Sequence, residues 1–100
     1  MAIQNPLNIP LGAALSAPIT TSTGTQVKTG GGVLTGISVL VAGSAWTATF
    51  YDGTSTSGTE LASIACDTVG PVSFPPMRFV TGLFVETAGT TAGSVKVASF

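Results

Sequence analysis

Apolar and polar residues alternate along most of this chain from Thr20 onward, and clusters of Gly, Ser and Thr interrupt the alternation at intervals of about ten residues. A period of two is typical of β-strands, and no helical period persists over the length of a helix. The pattern predicts strands near 25–29, 33–42, 46–52, 60–67, 72–74, 77–80, 83–87 and 94–100. About eight short strands with this spacing indicate an all-β fold, a jelly-roll-like β-sandwich.

Residues 1–19 differ from the rest of the chain and predict an extended arm. Pro6, Pro10 and Pro18 exclude a long helix and favour extended backbone, and the residues between them are largely apolar. An extended apolar segment cannot bury itself locally, so we expect it to lie along the domain or on a neighbouring chain. The sequence therefore predicts two parts, an apolar arm at 1–19 and a β-sandwich domain at 20–100.

The predicted strand that begins at Trp46 has one clearly buried face. Trp46, Ala48 and Phe50 share that face, whereas the opposite face is rich in threonine and carries Tyr51. Threonine fits the pleat of an exposed strand because its side chain is branched at Cβ. This strand is expected to cover the core on one side and to face outward on the other.

The predicted strand 33–42 is apolar on one face and small and partly apolar on the other. Its second face presents Leu34 and Leu40 among Gly, Ser and Ala, where a strand open to water would be polar. Lys and Glu, which usually guard exposed sheet edges, are nearly absent from the chain. Both features predict that neighbouring chains cover part of this domain.

Charge is scarce throughout the sequence. Only seven of the 100 residues are charged, none is histidine, and the mean hydropathy is +0.56, whereas about a quarter of the residues of a typical soluble domain are charged. The formal net charge of −1 gives no field for nucleic acid or for an anionic membrane surface. Residues 29–51 carry no charge, but their five glycines and alternating pattern do not predict a membrane helix.

Candidate catalytic groups are few. Asp52 and Glu60 flank one predicted hairpin loop, but Asp52 followed by Gly53 is a strong turn signature. Cys66 is the single cysteine, so no internal disulfide can form, and the thiol is expected to be a small buried group. Without histidine, the chain offers neither a metal-ligand cluster nor the base of a serine nucleophile. The sequence predicts no enzyme activity, no metal and no cofactor.

Aromatic side chains suggest one alternative. Most of them fall within predicted strands, where packing in the core is the default. Tyr51 lies on the face opposite Trp46 and Phe50, which makes it the candidate platform on which a sugar ring could stack.

Three segments carry a resemblance to a known group of proteins. The sequence FYDGTSTSGTEL occupies 50–61, a glycine-led strand GVLTGI precedes it at 32–37, and TGLFVETAGT follows at 81–90. Together they resemble small structural proteins of tailed bacteriophages over 30–100, about two-thirds of the chain. The resemblance implies a β-sandwich, often a jelly roll, found in head decoration (cement) proteins, head fibres or tail components. Decoration proteins of this kind are commonly trimers at the junctions of major capsid subunits.

These observations lead to one expectation of function. We expect a non-enzymatic capsid decoration protein on the exterior of the virion, made in the cytoplasm of a bacterial host. Its expected partners are itself, as a homotrimer, and the major capsid protein, with no nucleic acid and no membrane. The residues expected to make these contacts are Ile3, Leu7, Ile9, Leu11, Leu34 and Leu40. The alternative is a head-fibre or tail-associated module that recognises host-surface glycan through Tyr51 or the loop 54–58.

Overall fold

The computed structural model describes residues 14–100, and that part of the chain folds into eight β-strands without a helix. The strands are β1 (Ala14–Leu15), β2 (Gly24–Thr29), β3 (Gly32–Val41), β4 (Ser44–Asp52), β5 (Thr59–Ala65), β6 (Gly70–Phe79), β7 (Gly82–Thr91) and β8 (Ser94–Ser99). They form two antiparallel sheets, β1-β8-β3-β6 and β2-β7-β4-β5. Every connection except the β4–β5 hairpin crosses from one sheet to the other, which is the strand order of a jelly roll. The predicted all-β sandwich is confirmed.

The core lies between the two sheets and is built around aromatic side chains. Trp46, Ala48 and Phe50 of β4 are fully buried, as the alternation in the sequence predicts. Phe79 at the end of β6 is also fully buried. The Phe74 ring meets Phe50 edge-on, with 5.5 Å between the ring centroids, a geometry worth about 1 kcal/mol beyond the area that it buries.

A bulge in β3 corrects the face assignment made from the sequence. Between Leu34 and Gly36, β3 advances by two residues while β8 advances by one, so Thr35 is an extra residue relative to β8 and the alternation changes phase. Leu34 therefore faces the core together with Ile37, and Leu40 lies on the outside with 47% of its surface exposed. Leu34 and Leu40 do not share a face.

Strand β6 joins two segments that the sequence separates. Pro75 and Pro76 suggest a break between two strands, but Gly70–Phe79 is one strand at the edge of its sheet. The three residues from Phe74 to Pro76 stand opposite a single residue of β3, so β6 carries a bulge there. Because a proline has no amide hydrogen to donate, these two prolines and Pro71 block pairing along the outer side of β6. This edge is guarded within its own chain.

The last part of the predicted arm lies along the sandwich. The amide of Ser16 donates to the Val97 carbonyl at 2.8 Å, and Ile19 and Val95 exchange two backbone hydrogen bonds of 2.8 and 3.1 Å. Ile19 is 4% exposed and belongs to the core. Residues 14–19 are therefore packed on β8 of the same chain, in agreement with one of the two expected positions of the arm.

The molecule is elongated, 45 Å along its longest axis, and its two ends carry different connections. The Phe100 end comprises the carboxyl terminus and the β2–β3, β4–β5 and β6–β7 connections. The Leu40 end comprises the β3–β4, β5–β6 and β7–β8 connections. Within residues 14–100 we find no helix that is apolar and long enough to cross a bilayer.

Candidate functional site

The Asp52 carboxylate anchors a turn. It accepts hydrogen bonds from the amides of Val80 (3.0 Å), Thr81 (2.9 Å) and Gly82 (3.4 Å) in the β6–β7 connection. These bonds, that from Thr81 first, lower the pKa of Asp52. Asp52 therefore acts as a structural acceptor between two connections at the Phe100 end, rather than as the partner of Glu60 in a catalytic pair.

The other candidates for chemistry are also structural. Cys66 is fully buried, and burial, followed by the negative charge of Asp67, raises the pKa of its thiol. The Asp67 carboxylate accepts a 3.0 Å hydrogen bond from the Trp46 amide and holds the beginning of β4. In the described part of the chain, no three His, Cys, Asp or Glu residues lie close enough together to hold a metal ion.

The outer face of the second sheet carries a pair of aromatic rings. Tyr51 of β4 and Phe84 of β7 are register partners, with ring centroids 6.5 Å apart and a tilt of 53°. Both side chains are half-buried and point away from the core. The sequence predicts an outward-facing Tyr51, whereas Phe84, as an aromatic residue of a predicted strand, is expected in the core. The alternation of the sequence could have placed Phe84 on the outer face, because its neighbours Leu83 and Val85 are apolar and both are fully buried.

A polar row lies beside the two rings on the same face. Glu86 of β7 is the register partner of Thr49 of β4, which in turn pairs with Ser63 of β5. The hydroxyl oxygens of Thr49 and Ser63 are 3.2 Å apart and share a hydrogen bond. At the other end of the row is Gly24, over which the Phe84 ring leans so closely that a Cβ there would collide with it. Rings and polar groups thus form one continuous surface.

Exposed large apolar side chains gather at the two ends of the sandwich. Leu40, Val41 and Val69, 47%, 57% and 62% exposed, lie at the Leu40 end. The matching set at the Phe100 end is Leu15, Val80 and Phe100. A cavity of about 190 Å³ lies between Leu15 and Phe100. Both ends therefore present apolar surface to the surroundings.

The residues predicted to contact partners do not form one site. Ile3, Leu7, Ile9 and Leu11 lie outside the described residues. Leu34 cannot contact a partner, because it is fully buried in the core of its own chain, and that expectation was wrong. Leu40 is exposed, but it lies at the Leu40 end of the sandwich. The described chain begins at the opposite end, where Ala14 pairs with Ser99.

Strand β5 is an exposed edge without proline or lysine. It closes one side of the second sheet, and Glu60 is its one charged residue. The amide of Cys66 donates to the Trp46 carbonyl at 2.7 Å. Because hydrogen-bonded pairs alternate in an antiparallel ladder, the backbone groups of Ser63 and Ala65 point away from β4. This edge has backbone donors and acceptors to offer to another chain.

The architecture by itself does not assign a function. Double-sheet jelly rolls occur in viral capsid and lectin domains, and one fold commonly supports unrelated activities. Comparison of this chain with protein-family models, with characterised proteins and with solved structures finds no match.

Proposed function

We propose that this chain is a non-enzymatic capsid decoration protein of a tailed phage, which binds across junctions of the major capsid protein on the outside of the head. The observation that carries the proposal is the apolar surface at both ends of a sandwich with seven charged residues. Groups of large apolar side chains exposed at one place on a domain are typical of protein–protein contacts. The resemblance of 30–100 to phage structural proteins points in the same direction.

The Phe100 end is the proposed capsid-binding end. Leu15, Val80 and Phe100 are exposed there, and residues 1–13, which include four large aliphatic side chains, join the domain beside Ser99. Full burial of one such side chain contributes about 1.5–3 kcal/mol. A specific interface needs on the order of 1,000 Å² of buried surface, which this end and an apolar segment of thirteen residues can supply together.

The proposed mechanism is passive. A decoration protein that contacts two capsid subunits stabilises the shell because its contacts must break before the subunits can separate. The described carboxylates of Asp52 and Asp67 support this non-enzymatic role, since both accept backbone hydrogen bonds from structural amides. No step of this mechanism needs a cofactor.

We also propose that the chain associates with itself. The resemblance to phage decoration proteins implies a homotrimer. The edge of β5 supports self-association, because the outward backbone groups of Ser63 and Ala65 can pair with a neighbouring chain. The other three edges are less open to this contact. Strand β6 has its prolines, β1 has only two residues, and β2 carries Lys28 and a register shift between Gln26 and Lys28.

The test is binding to purified phage heads that lack the protein. Deletion of residues 2–13 is expected to weaken binding to heads at least tenfold. Val80→Asp, which places a charge at the same end, is also expected to weaken binding. Val41→Asp is the matched control, since it adds the same charge at the opposite end. All three variants should keep the thermal midpoint of the full chain within a few degrees. If the deletion variant binds heads as tightly as the full chain and protects them equally against heat, the proposal is wrong.

A further inference from the structure

We propose that the outer face of the second sheet binds a neutral pyranose sugar. The sugar-binding face is formed by Tyr51 and Phe84 together with Thr49, Ser63 and Glu86. This function is independent of capsid decoration, because none of these residues lies among the exposed apolar residues at the two ends.

The two rings provide the apolar part of the face. They lie on β4 and β7, the two central strands of the sheet, so strand pairing on both sides holds their backbone in place. Their centroids are 6.5 Å apart and the rings are tilted by 53°, which makes a shallow surface rather than a closed stack. The C–H face of a pyranose is apolar and packs on aromatic rings of this kind.

The polar row supplies hydrogen bonds at the right distance. Neighbouring strands lie about 4.8 Å apart, and alternate residues of a strand lie about 6.7 Å apart, so the row is about one sugar ring away from the aromatic pair. The Glu86 carboxylate accepts hydrogen bonds from sugar hydroxyls, and such charge-assisted bonds are the stronger kind. Thr49 and Ser63 both donate and accept, and their mutual bond is at the surface, where a sugar hydroxyl can replace it.

The charges near this face select against an acidic sugar. Glu86 lies in the polar row, and Glu60 is the register partner of Tyr51 on β5, so both charges within the two rows are negative. Arg78 and Lys96 belong to strands of the other sheet. Lys28 pairs with Leu83, beyond a register shift in β2, near the Phe100 end. A carboxylated sugar such as a sialic acid or a uronic acid would meet two carboxylates with no cation between them.

The test is a microbial glycan array followed by a titration of the ¹⁵N-labelled full chain, observed by NMR. The titration uses the neutral glycans that the array identifies, with maltotriose and triacetylchitotriose included in any case, and 3′-sialyllactose as the acidic probe. A neutral sugar is expected to shift the amide signals of Thr49, Tyr51, Phe84 and Glu86. Signals of Leu40, Val41 and Val69, at the opposite end of the sandwich, should stay unchanged.

Two substitutions separate the face from the rest of the surface. Tyr51→Ala and Phe84→Leu should each weaken neutral-sugar binding at least tenfold, whereas Phe100→Leu, the matched control, should leave it unchanged. Phe84→Leu retains an apolar side chain and keeps the test valid if the alanine variant is unstable. The proposal is overturned if no neutral sugar shifts this face, if 3′-sialyllactose binds more tightly, or if the face is covered by capsid protein on intact heads. The first two results do not bear on binding to heads through Leu15, Val80 and Phe100, which lie outside this face.

Discussion

At the scale of single residues, Asp52 makes stability depend on pH. Its three amide hydrogen bonds favour the charged carboxylate and hold its pKa below the ordinary value of 3.8. The stabilisation is therefore present above about pH 4 and is lost as the pH falls through the lower pKa of the folded state. We expect the urea midpoint to fall between pH 5 and pH 2.5.

Substitution isolates this effect. Asp52→Asn should be less stable than the wild type at neutral pH, and the difference should shrink as the pH falls and protonation removes the charge of Asp52. Glu60→Gln, which removes a carboxylate outside the β6–β7 turn, serves as the control and should follow the wild type. A constant difference between Asp52→Asn and the wild type across this range would contradict the assignment.

Ala45 is strained. Its φ is +49°, a left-handed conformation that costs a residue with a Cβ about 1–2 kcal/mol. Ala45→Gly should therefore raise the free energy of unfolding by about 0.5–1 kcal/mol, after the entropy that glycine loses on folding is subtracted. Ala88→Gly, also on an exposed strand position, should lower it by a similar amount. Chemical denaturation measures both, and a destabilised Ala45→Gly variant would refute the interpretation.

The Cys66 thiol is expected to be inert in the folded protein. It is fully buried, and its raised pKa reduces the fraction of thiolate, the reactive form. Reaction with Ellman's reagent at pH 8 should be on the order of 100-fold slower than in urea-unfolded protein. Equal rates in the two states would show that this side chain is accessible.

At the scale of strands, the sequence was informative where the ladder is regular. Trp46 to Phe50 run without a register shift against β7, so simple alternation assigned their faces correctly. In β3 the same reasoning misplaced Leu34, because the bulge at Thr35 is produced by pairing with strands far away in the sequence. Strand β1 was missed for a related reason, since its two residues are defined only by contacts with β8.

The sugar-binding face was also only partly predictable from the sequence. Tyr51 could be assigned to the outer face from its own strand, and Phe84 could have been assigned from the alternation of Leu83 and Val85. Their mutual contact could not, because it requires the pairing of β4 with β7 across more than thirty residues of chain. Sequence pattern gives the face of a residue, and the register decides which residues meet.

The edge of β5 makes a prediction about association. Because the amide of Ala65 points away from β4, Ala65→Pro removes an outward donor without breaking the β4–β5 ladder. We expect this variant to fold normally and to associate at least tenfold more weakly with itself, as measured by sedimentation velocity. Thr59→Pro, at the beginning of β5, is the control and should weaken self-association less than Ala65→Pro.

At the scale of the whole molecule, scarce charge occurs together with exposed apolar ends. Seven charged residues and net charge −1 give little repulsion between copies, and large apolar side chains at both ends favour contact with protein. The second sheet differs from the ends, because its outer face combines rings with hydroxyl and carboxylate groups. The ends and this face therefore differ in the kind of contact that their side chains can make.

The most direct measurement is the number of copies of this chain per purified phage particle, determined by quantitative mass spectrometry against the major capsid protein. A decoration protein is expected at hundreds of copies per head, in a fixed ratio to the capsid subunits. A handful of copies, or none on intact particles, would contradict the account.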